Sequence, residues 1–212
     1  MPHLPVLADN TLYLLRQGGW VMGAIFLVGQ AGWFFVFERL WHFRKQACPV
    51  SGLLKDPGSD PALIEKKLLA DPRLRGVFAE VAAGISQTRH EGRKAMANKA
   101  RETLRAATDR LSRHLGSIAV LASSAPLLGL TGTVSGIMAT FKVITTYGVG
   151  NPAMLAGGIA QALMVTEAGL VVAFPLLLLH DTLQKRADAI ESECVAGATT
   201  LIRLYSAEAG AA

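Results

Sequence analysis

Residues 125–140 read APLLGLTGTVSGIMAT, and this uncharged stretch decides the fold. A glycine or threonine recurs along it every three or four residues, at Gly129, Thr133, Gly136 and Thr140. That spacing places the four residues on one face of a helix. In lipid, small residues let helix backbones approach closely. The stretch therefore predicts a membrane helix that packs through a small, weakly polar face.

Apolar sequence continues on both sides of this stretch, and two further apolar segments occur elsewhere, of which the last holds one ionisable residue, Glu167. A helix needs about 20 mostly apolar residues to cross a bilayer, and three segments meet that requirement, at 17–37, 115–142 and 156–180. The composition, 51% hydrophobic and 17% charged, is that of a membrane protein. The sequence therefore predicts an all-α membrane protein with three transmembrane helices. The first segment is also considered as a signal peptide, but it lacks a basic start and a cleavage site, which favours a retained span.

The positive charges predict the orientation of these spans. Sixteen of the twenty-one Lys and Arg residues lie between Arg39 and Arg113, and three more follow the third span. Because Lys and Arg concentrate on the cytoplasmic side of membrane proteins, 38–114 is predicted to be a cytoplasmic helical region and 181–212 a cytoplasmic helix or tail. Residues 1–16 and the loop 143–155 are then periplasmic. The same bias explains the net charge of +5 without nucleic acid, for which no binding motif is present.

The second span is predicted to continue into the cytoplasm as one long helix. Apolar residues recur every three or four positions ahead of it, at Met96, Ala100, Leu104, Ala107, Leu111 and Leu115. Since no Pro or Gly cluster intervenes, a single helix from Glu91 to Lys142 is expected, about 75 Å long. One face of this helix is rich in Lys and Arg. These residues are compatible with binding to membrane lipids or to a partner chain, and equally with a helix face exposed to water. A short helix is also expected over 62–70.

The third span carries a small face that matches the one in the second. The residues predicted to pack these two helices together are Gly129, Gly132, Gly136, Gly158, Ala162 and Gly169. Polar groups accompany them, and Glu167 is the most notable, because a carboxyl within a span costs a few kcal/mol and normally faces a protein interior or water. An alternative is a protonated acid that is hydrogen-bonded to a neighbouring helix. The predicted channel-lining residues are Thr133, Thr166, Glu167, Gln161 and Thr140.

No enzyme motif is found in the sequence. A nucleophile elbow, a zinc-binding HExxH motif and a phosphate-binding loop are all missing, so neither catalysis nor a cofactor or metal is expected. Cys48 and Cys194 both fall on the predicted cytoplasmic side, where thiols stay reduced.

Three stretches together resemble a known family. They are ERLW at 38–41, APLLGLTGTV at 125–134 and QALMVTEAGLVVAFP at 161–175. In this combination and order of spans the chain resembles the MotA/TolQ/ExbB proton-channel family, in particular its three-span ExbB and TolQ members. The flagellar MotA branch fits less well, since its members are longer and have four spans.

The resemblance implies a ring of five copies around the single transmembrane helices of an ExbD- or TolR-like partner, whose membrane aspartate carries protons. Such a ring, in the bacterial inner membrane, couples the proton gradient to work on a TonB- or TolA-like protein that reaches the outer membrane. Two threonines of the family lie near that aspartate, and Thr133 and Thr166 match them here.

The sequence departs from the family in one respect. Many ExbB members carry Glu at the position of Gln161, whereas Glu167 stands where a small or apolar residue is common. The ionisable group has therefore moved along the helix or takes no part in proton flow. A passive membrane scaffold and a conventional small-solute transporter are the alternative functions.

Overall fold

The computed structural model of the chain describes residues 3–46, 76–148 and 152–211. They form five α-helices and one short 3₁₀ turn: α1 (His3–Gln46), α2 (Val77–Gln87), the turn Arg89–Glu91, α3 (Arg93–Ser112), α4 (Leu115–Tyr147) and α5 (Pro152–Ala211). No strand occurs in these three ranges, which confirms the predicted all-α fold. The helix expected over 62–70 lies outside the described residues.

Three helical stretches are long and apolar enough to cross a membrane, which confirms the number of predicted spans: Gly18–Phe43, Arg93–Tyr147 and Pro152–Ala207. The connection between the last two is shorter than the predicted 143–155. Gly148 follows α4 with a φ of 70°, and its amide donates to the carbonyl of Ile144 at 2.8 Å. Helix α5 then begins at Pro152, a residue favoured in a first helical turn because it has no amide hydrogen to leave unbonded.

The predicted uninterrupted helix from Glu91 to Lys142 is wrong in one place. Helix α3 ends at Ser112, Arg113 is extended, and His114 has a φ of 66°, so α4 starts afresh at Leu115. A non-glycine residue in the left-handed region costs roughly 1–2 kcal/mol, which contacts within the protein must offset. The ring of His114 packs against the ring of Phe35, with centroids 5.1 Å apart.

The chain divides into two compact units, of which one comprises the described parts of 1–37 and 114–181. Its core includes Val21, Met22 and Ile25 of α1 together with Val165 of α5. Helix α1 also packs against α5 further along, because a Cβ on Gly29 would lie 3.2 Å from the side chain of Val172. All three predicted spans thus contribute to this unit.

The second unit comprises the described parts of 38–113 and 182–212. Helices α2 and α3 pack against each other here, and their buried residues are Val77, Phe78, Val81, Gly84, Ile85, Met96, Ala100, Ala107 and Leu111. Cys194 is a buried thiol of the same unit, while Cys48 lies outside the described residues.

Arg39 has a particular role in this second unit, because it is 3% exposed and its Nη1 donates to the backbone carbonyl of Arg110 at 3.1 Å. That carbonyl is among the last four of α3, which have no amide partner within the helix. The side chain of Arg110 pairs with Glu80 of α2. Arg39 therefore caps the end of α3, beside the break at Arg113.

Arg39→Leu should loosen the end of α3, because one helix-terminal carbonyl loses a charged donor. The loss of about 1.5 kcal/mol or more that is typical of a hydrogen bond with a charged group corresponds to at least roughly tenfold faster tryptic cleavage after Arg113, which mass spectrometry of timed digests would measure. Arg105→Leu, which alters an exposed side chain of α3, is the matched control. Equal cleavage rates in the two variants would contradict the capping role.

Candidate functional site

Helices α4 and α5 meet with their backbones close together. A Cβ on Gly129 would lie 3.1 Å from the Cα of Thr166, and one on Gly169 would lie 2.7 Å from the carbonyl oxygen of Ala125. Further along, a Cβ on Gly136 would approach that of Ala162 to 2.7 Å. Side chains larger than hydrogen therefore do not fit at these glycines without displacing the helices.

The other small residues of the two helices lie along the same contact. Gly132 faces the side chain of Val165, and Gly158 faces the hydroxyl of Thr140. These pairs run in opposite directions along the two helices, which fixes an antiparallel register in which Thr166 is level with Gly129. The six residues predicted for helix packing all lie at this contact.

The two threonines matched to the family are linked through one backbone carbonyl. The hydroxyl of Thr166 donates to the carbonyl oxygen of Gly129 at 2.8 Å, across the two helices. In an α-helix that oxygen also accepts from the amide of the fourth following residue, which is Thr133. The hydroxyl of Thr133 donates to the carbonyl of Leu130 at 2.7 Å. Both hydroxyl protons are therefore used within the protein, and the lone pairs of both oxygens can still accept hydrogen bonds.

A cavity of about 380 Å³ lies beside this contact, lined by residues of α1, α4 and α5. Two of the predicted channel residues, Thr140 and Gln161, line it together with Ser135. Thr140 is only 8% exposed and donates to the carbonyl of Gly136 at 2.9 Å, whereas Gln161 is exposed. The cavity thus combines a free amide side chain with two hydroxyl groups.

Gly19 also lines this cavity, and it is not among the residues predicted from the sequence. Its φ of 67° and ψ of −162° interrupt α1, so backbone groups on either side of it lack regular helical partners. The adjacent pair Gly18-Gly19 is the signal from which a kink could have been predicted.

Glu167 lies apart from the other predicted channel residues. It is exposed and follows Ala162, which is buried against α4, by five positions along α5. At about 100° per residue its side chain lies roughly 140° around the helix from that contact. The predicted set therefore falls into three places: Thr133 with Thr166, Thr140 with Gln161, and Glu167 on its own. Among the residues that the structure describes, no three His, Cys, Asp or Glu side chains are grouped to hold a metal.

Three apolar helices packed through small residues, with hydroxyl groups at the contact, define a multi-pass helical membrane protein. Residues 73–195 match the model of the MotA/TolQ/ExbB proton channel family, and because this match covers more than half of the chain, the chain belongs to that family.

Curated relatives carry ExbB and TolQ names. The chain is 40% identical to the biopolymer transport protein ExbB of Aquifex aeolicus over 40% of its own length and 62% of the relative's. It is 31% identical to ExbB of Pseudomonas putida over 65% of its own length and 42% of the relative's. It is 37% identical to the Tol-Pal system protein TolQ of Haemophilus influenzae over 39% of its own length and 36% of the relative's. The matches thus span less than two thirds of each of these relatives. With the three candidate spans, they support a multi-pass protein of the inner membrane.

Gly169→Ala should destabilise the protein, because the new methyl group would meet the carbonyl oxygen of Ala125, a backbone atom that cannot turn away. A loss of about 1–3 kcal/mol is expected from such overpacking, measured as a lower thermal midpoint in detergent. Gly157→Ala is the control, since no atom lies within 4 Å of its added Cβ. That variant should be neutral or slightly stabilised, and a midpoint as low as that of Gly169→Ala would contradict the packing argument.

Proposed function

We propose that the chain is a ring-forming subunit of a motor driven by the proton-motive force in the bacterial inner membrane. Copies of the chain, five in the form expected of the family, surround the single transmembrane helices of an ExbD- or TolR-like partner. The assembly energises a TonB- or TolA-like protein for outer-membrane transport or envelope maintenance. The N-terminus is periplasmic and the C-terminus cytoplasmic in this proposal, as the distribution of Lys and Arg favours.

The observation that carries the proposal is the hydrogen-bonded group of Thr166, the Gly129 carbonyl and Thr133. Both hydroxyls already donate to backbone carbonyls, so towards a partner they offer acceptor oxygens. A protonated aspartic acid on the partner helix has an O–H group to donate to such an oxygen, whereas an aspartate has only acceptors. The contact therefore forms when the partner's acid gains a proton and weakens when the acid releases it.

This difference couples proton transfer to movement. The hydroxyls are held at fixed positions because the backbones of α4 and α5 touch at Gly129 and Gly169, so the ring itself does not yield. A partner helix that loses its contact at one copy and regains it at the next moves relative to the ring. Each copy supplies one such position, and rotation of the partner within the ring follows.

The cavity lined by Gln161, Ser135 and Thr140 is the proposed path by which protons approach from outside. It is also lined by Val143 and Met154, which lie near the connection between α4 and α5, on the periplasmic side in the proposed orientation. Its polar side chains suit water molecules, which need two to four hydrogen-bonding partners each.

A passive helical scaffold is the second candidate. It is favoured by the fact that the hydroxyls of Thr133 and Thr166 already have backbone partners, which is the ordinary use of threonine in membrane helices. A scaffold conducts no protons, so in it these bonds only join helices and their loss changes stability alone.

Thr133→Val and Thr166→Val should each abolish proton-driven activity of the complex with its partner, because valine removes the acceptor oxygen and keeps the shape. Loss of one positioned hydrogen-bonding group is expected to lower the rate about 100-fold or more. The measurement is proton uptake by vesicles containing the chain with the adjacent single-span subunit.

Three control variants distinguish the loss of the acceptor oxygen at these two positions from the general effect of removing a hydroxyl group from a membrane helix. Thr133→Ser and Thr166→Ser retain the oxygen and should keep most activity. Ser123→Ala removes an exposed hydroxyl that donates to the Val120 carbonyl of α4, and should leave activity unchanged. Normal proton uptake in both valine variants, with normal membrane insertion, would contradict the role of these hydroxyls in the motor. No proton uptake by vesicles that contain the natural chain and its partner would favour the scaffold.

A further inference from the structure

Glu167 belongs to an apolar stripe on α5. Leu163, Leu170 and Phe174 share its helical face by their spacing of three and four residues, and each is more than half exposed in the single chain. We name these four residues the glutamate stripe. It points away from α4, since Glu167 lies roughly 140° around α5 from Ala162.

Lipid chains are an unfavourable environment for the glutamate stripe, because they offer the Glu167 carboxyl group no hydrogen-bond partner. A charged carboxylate at the centre of a span is unfavourable in hydrocarbon, and a neutral acid there still needs a hydrogen-bond partner. A wide water path fits poorly as well, because the neighbours of Glu167 along the stripe are large apolar side chains. A protein surface with one polar group at the right depth fits both requirements.

Helix α4 of the same chain carries such a surface. Leu127, Val134 and Met138 lie on one helical face with Thr131, and these three apolar side chains are also more than half exposed. We name these four residues the threonine stripe. It points away from α5, because Thr131 lies roughly 160° around α4 from Gly129.

The two stripes place their polar groups at similar depths. Thr166 is level with Gly129 at the contact between the helices. Glu167 is one residue beyond Thr166, and Thr131 is two residues beyond Gly129 on the antiparallel helix. At 1.5 Å per residue, the two positions differ by only about 5 Å along the helix axis, which a glutamate side chain can span.

We propose that the glutamate stripe of one copy packs against the threonine stripe of the next, with Glu167 hydrogen-bonded to Thr131. The hydroxyl of Thr131 donates to the Leu127 carbonyl at 2.9 Å, so its oxygen is left to accept from a neutral carboxyl group. Different surfaces of each copy meet in this contact, which is the head-to-tail arrangement that closes into rings. The inference rests on the self-assembly contained in the proposed function, and it assigns Glu167 to the seam between copies and not to the proton path.

Cross-linking tests the seam directly. In full-length chain carrying Cys48→Ser and Cys194→Ser, the double variant Thr131→Cys with Glu167→Cys is treated in membranes with a short bifunctional maleimide. A ladder of covalent oligomers is expected on denaturing gels, while either cysteine alone should leave the chain monomeric. A ladder from Glu167→Cys alone would show that two copies meet through the same surface of α5, and it would overturn the proposal.

Native mass measurement separates this inference from the proposed function. Oligomers without a ladder in the double variant would place the seam elsewhere, or show that lipid or a partner helix covers Glu167, and would leave the motor proposal standing. Monomers in every preparation of the natural sequence would instead remove the ring from the proposed function.

A double-mutant cycle tests the hydrogen bond itself. Thr131→Val should raise the monomer fraction roughly tenfold, because it leaves the Glu167 carboxyl buried without an acceptor. Adding Glu167→Leu should restore assembly, since replacing both partners of a bond by apolar groups is nearly neutral. Independent, additive effects of the two substitutions would show that the residues are not in contact.

Discussion

The close approach of two helix backbones is the constraint on which the rest of the site depends. At Gly129 and Gly169 the chains of α4 and α5 come so near that a Cβ at either position would have to displace the backbone of the other helix. Only at this separation does the short side chain of Thr166 reach a carbonyl on the opposite helix. In lipid, where apolar side chains gain little by leaving their surroundings, such contacts supply much of the energy of helix association. Packing and hydrogen bonding therefore depend on the same glycines.

The contact also determines which surfaces remain for other molecules. Small residues occupy the inner face of each helix, so the larger apolar side chains of α4 and α5 point outwards, and each outward stripe includes a single polar residue, Thr131 or Glu167. Thr166 of the hydrogen-bonded group lies at the contact between the helices, and Thr133 lies one turn along α4 from Gly129. In the function and the seam that we propose, one protomer therefore uses separate surfaces for its own core, for a partner and for a second copy.

Much of this arrangement follows from periodicity in the sequence. The three spans come from the length of uncharged runs, and the packing glycines come from a spacing of three to four residues, because both depend on local helix geometry. The break at His114 was missed, since neither glycine nor proline marks it and the left-handed residue is held by contacts that are distant in sequence. The acceptor of the Thr166 hydroxyl was missed for a related reason: a helical pattern shows which side chains share a face but not which carbonyl faces them from another helix. For Glu167, its chemistry was recognised from sequence, whereas its separation from Thr140 and Gln161 required the register of the two helices.

The interruption of α1 at Gly19 has an electrical consequence. Backbone amides and carbonyls freed by the φ of 67° have strong dipoles, and with Gln161 and Ser135 they make the adjoining cavity far more polarisable than the hydrocarbon around it. A membrane voltage falls mainly across the regions of low dielectric constant. In the proposed orientation, the drop is then concentrated in the apolar stretch between the cavity and the cytoplasm. Thr133 and Thr166 lie at the inner end of the cavity, next to Gly132 and Val165, which line it. A proton that reaches these threonines would have crossed little of the voltage, and the remaining drop would act over a shorter distance and so as a stronger local field.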